Sequence, residues 1–428
     1  MEYLEALDYL YSLERSSAKL GLENIGELLN RWGNPQSSFP AIHIGGTNGK
    51  GSTCSIISSV LSSAGYKTGL YTSPHLQSFV ERIQIDNKPI QPERFGEMME
   101  EVAGIVAKMG GKPTVFEVAT AIALKHFEEE GVDISVVEVG MGGRLDATKL
   151  VNPVVTGITN VELDHQRILG DRRARIAFEK GSIAKPNVPM VLGLGSAEVR
   201  RVIFELCKEV GAPIHLVDEV PLTKRGFDRE GQVYDIRYDG EEMTVKTHLL
   251  GHFQDDNLRM AIKVLELSDM GVTSESIREG LAKVRHPGRM ERVSDDPLVI
   301  LDGAHNPSKT DALVRSLNDF FPSEFAFIFG VMKDKDVKNM LQKLSGVGKR
   351  FYLTRINYPR SMDPKEIGHL VSGISGDLSY ELAANPMEAL RMAEKDGKKN
   401  ICVTGSLYIA GYLRSFYKEP VAWDNHNF

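Results

Sequence analysis

A glycine-rich turn between an apolar run and a helical pattern constrains the fold of this chain more than any other feature. The apolar residues 41–44 predict a buried strand, and four glycines lie between positions 45 and 51. Glycines let successive backbone N–H groups converge on an anion, and a helix N-terminus adds partial positive charge. Lys50, at the start of the predicted helix, can neutralise the β- or γ-phosphate of a nucleotide. The stretch therefore predicts a phosphate-binding loop between a strand and a helix.

The fit to the general P-loop motif is imperfect at two positions. Gly51 separates Lys50 from Ser52, and Ile44 stands where the motif has its first glycine. Ser52 is nevertheless placed to ligate the Mg²⁺ that accompanies a nucleotide. The alternative interpretation is a glycine-rich strand-to-helix turn that binds no ligand.

Composition narrows the class of protein. A length of 428 residues predicts two or three domains. A net charge of −7 gives no electrostatic reason to expect nucleic acid as a partner. The three cysteines are far apart in the sequence, which fits a reducing compartment. Because the first residues are acidic and no apolar run reaches about 18 residues, we expect a cytoplasmic protein that does not contact a membrane. We also expect a monomer.

Strand and helix patterns alternate along the chain, which is typical of an α/β fold. After a helix predicted over residues 2–14, the first series predicts a doubly wound, mostly parallel sheet, whose ligands bind at the carboxyl ends of its strands. Further strands of this series are predicted at 67–72, 134–139, 154–159 and 189–193, and its helices at 53–64, 92–108, 115–130, 173–185 and 197–210.

A second α/β series begins after a turn-rich interruption at residues 285–296. Between the two series, residues 213–250 have β character and residues 255–284 are helical in pattern. The second series predicts a smaller Rossmann-like unit, with strands near 297–302, 325–330, 350–354 and 400–404. We therefore expect a P-loop domain over residues 1–290 and a second domain over residues 291–428.

Several polar residues lie at or after the ends of predicted strands. Glu138 ends an apolar strand, where a buried carboxylate requires a nearby cation, either Mg²⁺ at the loop or a buried Arg or Lys. His165 lies in a loop suited to a metal ligand, although a lone histidine is usually structural. In the second series, a strand leads through Asp302 and His305 into a helix, where these side chains could cap the helix or reach a ligand. Lys180, late in a predicted helix, is typical of a solvated lysine.

Seven short motifs follow one another between about residue 40 and residue 410. They lie at residues 46–52, 71–76, 138–148, 163–165, 287–291, 302–307 and 404–408. Together these motifs resemble the folylpolyglutamate synthase and dihydrofolate synthase family of the Mur ligase superfamily. Each motif alone is weak, but the set is highly specific.

The resemblance implies a nucleotide and metal site. The residues that it assigns to ATP are Thr47, Asn48, Gly49, Lys50, Gly51, Ser52, Asn257, Arg289 and Asp302. Those that it assigns to Mg²⁺ are Ser52, Ser73, Glu138 and His165. Lys180 matches the lysine that is carbamylated in this family, which would make it an anionic residue of the metal site.

The same resemblance implies substrate contacts and catalytic residues. Phe116, Glu117 and Thr120 resemble the stretch that lines the pterin pocket. His305 and Ser406 fall where the incoming glutamate or the phosphates are contacted. The implied catalytic residues are Lys50, Lys180 and His305.

The implied reaction joins L-glutamate to a pteroate or folate carboxylate. The carboxylate attacks the γ-phosphate of ATP, and the glutamate amino group attacks the resulting acyl phosphate to form an amide. One alternative is a Mur-type ligase for another acceptor, such as a cell-wall precursor or a modified pterin. Another is a nucleotide-dependent switch, which would give no reason for Arg289, Asp302 and His305 to accompany the loop.

Three departures from the family pattern stand out. Lys180 is followed by Gly-Ser-Ile where the family usually has Ala-Gly-Ile, and Lys149 replaces a common asparagine. Residues 171–173 carry a basic pair after the aspartate, where threonine is expected. The last two departures bear on acceptor specificity more than on ATP chemistry.

Overall fold

The computed structural model describes residues 1–13, 21–422 and 424. Within them, an eight-stranded sheet forms the first half of the fold, in the order β4-β3-β2-β5-β1-β6-β7-β8. Its strands are β1 (Ala41–Gly45), β2 (Thr68–Tyr71), β3 (Ile83–Ile85), β4 (Lys88–Pro89), β5 (Ile134–Glu138), β6 (Pro153–Ile158), β7 (Met190–Leu192) and β8 (Ile214–Leu216).

The pairing within this sheet brings the predicted site residues to one edge. In the sheet order from β2 to β8 all neighbouring strands are parallel, whereas β3 at one side pairs antiparallel with both β2 and β4. Ile44 of β1 pairs with Glu138 of β5, and Gly45 pairs with Ile158 of β6. The carboxyl ends of these three central strands therefore coincide, which is where ligands bind in such sheets.

Helices cover both faces of the sheet, because its central strands are apolar on both sides. One face packs against α1, α2, α4 and α5, and the other against α3, α9 and α10. A further cluster packs α7 and α8 against β6 and β7. These helices are α1 (Tyr3–Ser12), α2 (Glu23–Arg31), α3 (Lys50–Ser63), α4 (Pro92–Val106), α5 (Val115–Glu129), α6 (Gln166–Leu169), α7 (Arg173–Gly181), α8 (Ala197–Val210), α9 (Gln254–Leu267) and α10 (Ser274–Lys283).

A three-stranded antiparallel sheet extends the second of these faces. It consists of β9 (Leu222–Asp228), β10 (Gly231–Tyr238) and β11 (Glu241–Thr247). Tyr234 and Val245 of this sheet are buried in the same cluster as Ile42 and Ile44 of β1. The small sheet therefore packs on the helices that flank the glycine-rich loop.

A six-stranded sheet forms the second α/β unit, in the order β12-β13-β17-β14-β15-β16, with only β12 antiparallel. Its strands are β12 (Glu291–Asp295), β13 (Leu298–Leu301), β14 (Ala326–Phe329), β15 (Arg350–Leu353), β16 (Ser379–Leu382) and β17 (Asn400–Thr404). Its helices are α11 (Pro307–Phe320), α12 (Val337–Leu344), α13 (Pro364–Ser372), α14 (Pro386–Lys395) and α15 (Leu407–Tyr417).

The predicted fold class is confirmed, with differences in detail. The β character of residues 213–250 is confirmed and divides between β8 in the large sheet and the separate small sheet. The helical pattern of residues 255–284 corresponds to α9 and α10. The helix predicted over 173–185 ends at Gly181, and position 14 of the first predicted helix lies outside the described residues. The sequence patterns did not predict α2, the β3–β4 hairpin, α6 or β16. They also did not predict β12, which occupies residues 291–295 of the interruption predicted at 285–296.

We propose that the first domain ends at residue 290 and that the second begins at residue 291. No strand pairing among the described residues joins the eight-stranded sheet to the six-stranded one, and β12 begins at Glu291. Residues 423 and 425–428 of the second domain lie outside the described part of the chain.

Candidate active site

The glycine-rich loop joins β1 to α3, as predicted. Gly49 precedes the helix with φ +83°, and a Cβ added there would lie 2.1 Å from Asn257 Oδ1. A Cβ on Gly46, at φ +137°, would lie 1.9 Å from Thr159 Oγ1. Both positions therefore require glycine for backbone conformation and for space.

Gly51, which departed from the general P-loop motif, has a steric role. A Cβ at this position would lie 3.0 Å from His286 Cε1 and 3.4 Å from Glu138 Oε2. His286 is held there by a 3.0 Å hydrogen bond between its Nδ1 and Ser55 Oγ. The extra glycine therefore lets the first turn of α3 pack against the turn that follows α10.

Residues after β6 fix the shape of the loop. Thr159 Oγ1 donates to Asn48 O at 2.7 Å, and Asn160 accepts from Asn48 N at 3.0 Å through Oδ1. Asn160 O also accepts from Thr47 N at 2.9 Å. The loop is thus preorganised by contacts to a neighbouring strand end, which lowers the ordering cost of binding an anion.

Glu138 faces the loop and is paired with its lysine. The side chain is buried, with Oε1 3.9 Å from Lys50 Nζ and Oε2 accepting from Ser73 N at 2.9 Å. Burial raises the pKa of this carboxyl, while the charge of Lys50 opposes the shift. Lys50 Nζ also donates to Thr47 O at 3.4 Å, so the lysine is held at the loop.

Lys180 is buried rather than solvated, in contrast to what its position in a helix suggests. Its Nζ donates to Gly46 O at 2.8 Å, beneath the loop. Burial and the charge of Lys50 lower the pKa of Lys180 to about 7. A substantial share of the amine is therefore neutral near pH 7.

Two adjoining cavities meet at the loop. The main cavity has a volume of about 740 Å³ and is lined by residues of both α/β units, among them Lys50, Glu138, Phe116 and His305. The side cavity has a volume of about 180 Å³ and contains Asn257, Arg289 and Asp302 in its walls. Residues that line both cavities are Asn48, Gly49, Ser52, Arg289 and Lys309.

The second α/β unit contributes the strand end after β13. Asp302 accepts from Met290 N at 2.9 Å and from Ala304 N at 2.8 Å, so its carboxylate ties this strand end to the turn that holds Arg289. Burial raises the pKa of Asp302 and lowers that of Arg289, and each charge opposes the shift of the other. His305 lies next to this turn, with Nδ1 2.9 Å from Gly303 O.

Most of the predicted site residues line the two cavities. Thr120 and Ser406 do not: Thr120 donates to Phe116 O from a fully buried position, and Ser406 caps α15 by accepting from Tyr408 N at 3.2 Å. Lys180 lies under the loop and not in a cavity wall. Ser73, His165 and Glu117 all line the main cavity, and Glu117 also caps α5 through Thr114 N.

The oxygen atoms beside the loop suit a hard cation. Ser52, Ser73 and Glu138 supply hydroxyl and carboxylate oxygens, the donor type that Mg²⁺ prefers. Among residues 1–13, 21–422 and 424, no group of three or more His, Cys, Asp and Glu side chains could hold a metal ion. The set therefore fits a cation that shares its coordination with water and a phosphate, which is how Mg²⁺ is usually bound beside a nucleotide.

Lys309 and His286 are among the cavity residues that sequence reasoning missed. Lys309 lies in the first turn of α11, and His286 precedes the motif at residues 287–291. The signal for Lys309 is its spacing of four residues from His305, which brings their side chains to the same wall.

Comparison with known proteins agrees with this geometry. Residues 44–265 match the model of the Mur ligase middle domain, and residues 288–407 match that of the Mur ligase, glutamate ligase domain. The chain is 33% identical to the folylpolyglutamate synthase of Lacticaseibacillus casei, over 97% of this chain and 98% of the relative. It belongs to the folylpolyglutamate synthase and dihydrofolate synthase family of Mur ligases.

Other relatives carry two activities in their names, and the second activity differs between them. The chain is 31% identical to the dihydrofolate synthase/folylpolyglutamate synthase of Bacillus subtilis, over 97% of this chain and 99% of the relative. It is 32% identical, over its whole length, to a probable bifunctional folylpolyglutamate synthase/dihydropteroate synthase of Haloferax volcanii, and spans only 52% of that longer protein.

Solved structures of the family share the fold over nearly the whole chain. Mycobacterium tuberculosis folylpolyglutamate synthase, complexed with ADP and AMPPCP, matches with a TM-score of 0.90 and 31% identity, over 98% of this chain and 99% of that one. Escherichia coli FolC, in complex with DHPP and ADP, matches with a TM-score of 0.86 and 26% identity, over 97% of each chain.

In the described part of the chain, no helix combines the length and the apolar character needed to cross a membrane.

Proposed function

We propose that this chain is an ATP-dependent ligase that forms an amide bond between L-glutamate and a pteroate or folate carboxylate. The observation that carries the proposal is the main cavity, which places the glycine-rich loop, the Glu138 strand end and the His305 turn of the second unit around one space. Family membership supports the same activity, because its members are named for it. A nucleotide switch would not need the wall that the second α/β unit contributes.

ATP is the proposed phosphoryl donor. The loop offers converging N–H groups at the N-terminus of α3, and Lys50 is within reach of phosphate oxygens. Asn257, Arg289 and Asp302, in the side cavity, are proposed to bind the rest of the nucleotide. Relatives solved with ADP and AMPPCP support this assignment.

Ser52, Ser73, Glu138 and His165 are the residues proposed to hold Mg²⁺. Three of these four residues supply oxygen ligands. Lys50 Nζ lies 3.9 Å from the Glu138 carboxylate, which supports a site in which positively and negatively charged groups lie next to one another. A bound Mg²⁺ would supply electrostatic stabilisation of charge on the transferring phosphoryl group. His165 is the N-cap residue of α6 and lines the main cavity.

We further propose that Lys180 is carbamylated when CO₂ is available. The addition requires a neutral amine, because the nitrogen lone pair attacks CO₂ and a proton is released as the carbamate forms. The lowered pKa of Lys180, about 7, supplies that neutral amine at moderate pH.

The chain's own residues account for the course of the reaction. Lys50 and the loop N–H groups orient the γ-phosphate, and the acceptor carboxylate approaches from the Phe116 side of the main cavity. The carboxylate oxygen attacks the γ-phosphorus, and ADP leaves. The amino group of L-glutamate then attacks the acyl carbon and phosphate leaves, so the cavity must exclude water that would hydrolyse the acyl phosphate. His305, which lines the main cavity, is the residue proposed near the incoming glutamate.

An acceptor panel tests the proposal and identifies the substrate. Purified protein is incubated with ATP, Mg²⁺ and L-glutamate, together with dihydropteroate, reduced folates or muramyl precursors, and ADP release is measured with amide product. We expect glutamate-dependent turnover with a pteroate or folate acceptor. Turnover only with a muramyl precursor would favour the other Mur-type ligase, and ATP turnover without an amide would contradict the ligase function.

A further inference from the structure

Lys309 is a cation in an electrostatically unfavourable position. It occupies the first turn of α11, where Asn306 Oδ1 caps the helix by accepting from Lys309 N at 2.8 Å. The N-terminus of a helix carries partial positive charge, so a lysine in that turn opposes the helix dipole. A bound anion at this place would remove the conflict.

The side chain of Lys309 has no carboxylate partner among the described residues within 4.0 Å of its Nζ. Its hydrogen-bond partner is His305 Nε2, at 3.2 Å. His305 Nδ1 lies 2.9 Å from Gly303 O, so Nδ1 carries the proton and Nε2 accepts from Lys309. A neutral histidine orients the ammonium without offsetting its charge.

Lys309 also lies where the main cavity meets the side cavity. Burial and the charges of Arg289 and Lys50 lower the pKa of Lys309 to about 7, while Asp164 and Asp302 oppose this shift. The three cations come from different parts of the chain: the glycine-rich loop, the turn before β12 and the first turn of α11. Lys50 already faces Glu138 at 3.9 Å, and the charge of Asp302 offsets that of Arg289. An anion bound where the cavities meet would supply the close negative partner that Lys309 lacks among the described residues.

We propose that Lys309 binds the terminal phosphate of ATP from the second α/β unit, in addition to the contact made by Lys50. This inference rests on the proposed function for the identity of the anion. The terminal phosphate is the part of ATP that must reach the main cavity, because the acceptor carboxylate attacks it there. Lys309 would thus make a contact that depends on the terminal phosphate and that ADP cannot make.

Calorimetric titration of Lys309→Met with AMPPCP and with ADP tests the inference. We expect AMPPCP to bind roughly tenfold more weakly or worse, because a charge-assisted hydrogen bond is lost, while ADP affinity changes by less than about twofold. Lys309→Arg should retain much of the AMPPCP affinity. Lys338→Met, at an exposed lysine of α12, is the matched control and should bind both nucleotides as the parent protein does.

The outcomes separate this inference from the proposed function. An unchanged ratio of AMPPCP to ADP affinity in Lys309→Met would overturn the phosphate contact, as would a defect confined to the KM for L-glutamate. A parent protein that discriminates AMPPCP from ADP through Lys309 but forms no amide would overturn the ligase function alone. Failure of the parent protein to bind either nucleotide would overturn both.

Discussion

At the scale of single residues, the site is defined by charged groups that are buried close to one another. Lys50 faces Glu138 at 3.9 Å, and Lys180 donates to the loop from below at 2.8 Å. Each of these groups loses hydration on folding and recovers only part of it from its partner. The folded state therefore accepts unfavourable electrostatics at the position where a charged ligand is expected.

The lowered pKa of Lys180 predicts a pH-dependent cost to stability. Unfolded lysine has an ordinary pKa of 10.5, whereas the folded value is about 7. Between these pH values the unfolded state binds more protons than the folded state. The contribution of Lys180 to the free energy of unfolding therefore increases with pH, by at most about 1.4 kcal/mol per pH unit. The gain is complete above the unfolded pKa and absent below about pH 7.

Denaturant unfolding of the parent protein and Lys180→Met, in buffers freed of CO₂ from pH 7 to 10, measures this effect. We expect the difference in free energy of unfolding between variant and parent to be largest near pH 7, in favour of the variant, and to shrink as pH rises. Parallel pH profiles for the two proteins would show that Lys180 keeps its ordinary pKa in the fold.

At the scale of elements, the glycine-rich loop is the part of the structure that tolerates least change. Gly49→Ala should both strain a backbone at φ +83° and push against Asn257, whose Oδ1 lies 2.1 Å from the added Cβ. Gly65→Ala is the matched control, since Gly65 follows α3 with φ +92° and an added Cβ there meets nothing within 4 Å. The control isolates the conformational cost, about 1 kcal/mol.

We expect Gly65→Ala to lose about that amount of stability while nucleotide affinity stays unchanged. Gly49→Ala should lose more stability, and its affinity for ADP should fall, because Asn257 must move from the side cavity wall. Denaturant unfolding and calorimetric titration measure both effects. Equal losses in the two variants, with equal affinity for ADP, would show that the contact between loop and Asn257 has no role.

The sequence predicted elements whose signals are local. Contiguous residues specify the strand before the loop, the loop itself and the strand end at Glu138. All three lie at the predicted positions. Lys309 and Lys180 could not be found in the same way, because a lysine in an amphipathic helix usually faces solvent. Lys180 is buried by packing between segments 134 residues apart, since its Nζ donates to Gly46 O. Lys309 is half-buried and belongs to the site because it lines both cavities. The steric role of Gly51 could not be predicted either, because it depends on the contact with His286, which is distant in the sequence.

At the scale of the whole molecule, the two α/β units present strand ends to the same cavity. The eight-stranded sheet contributes the loop and Glu138, and the six-stranded sheet contributes Asp302 and the His305 turn. The alternation of strand and helix patterns predicted two such units, and the β character of residues 213–250 predicted the strands of the small sheet. The patterns did not predict Lys309 and His286, which line the main cavity where the two units meet. Junction residues have no periodicity in sequence, because each unit specifies only its own core.

This arrangement carries the central claim, that ATP activates an acceptor carboxylate inside the shared cavity. The most direct measurement uses a pteroate or folate acceptor whose reacting carboxylate is labelled with ¹⁸O, together with ATP and L-glutamate. If an acyl phosphate forms, one labelled oxygen is transferred to inorganic phosphate for each amide made, and mass spectrometry of the phosphate will detect it. Amide formation that leaves the phosphate unlabelled would contradict the account.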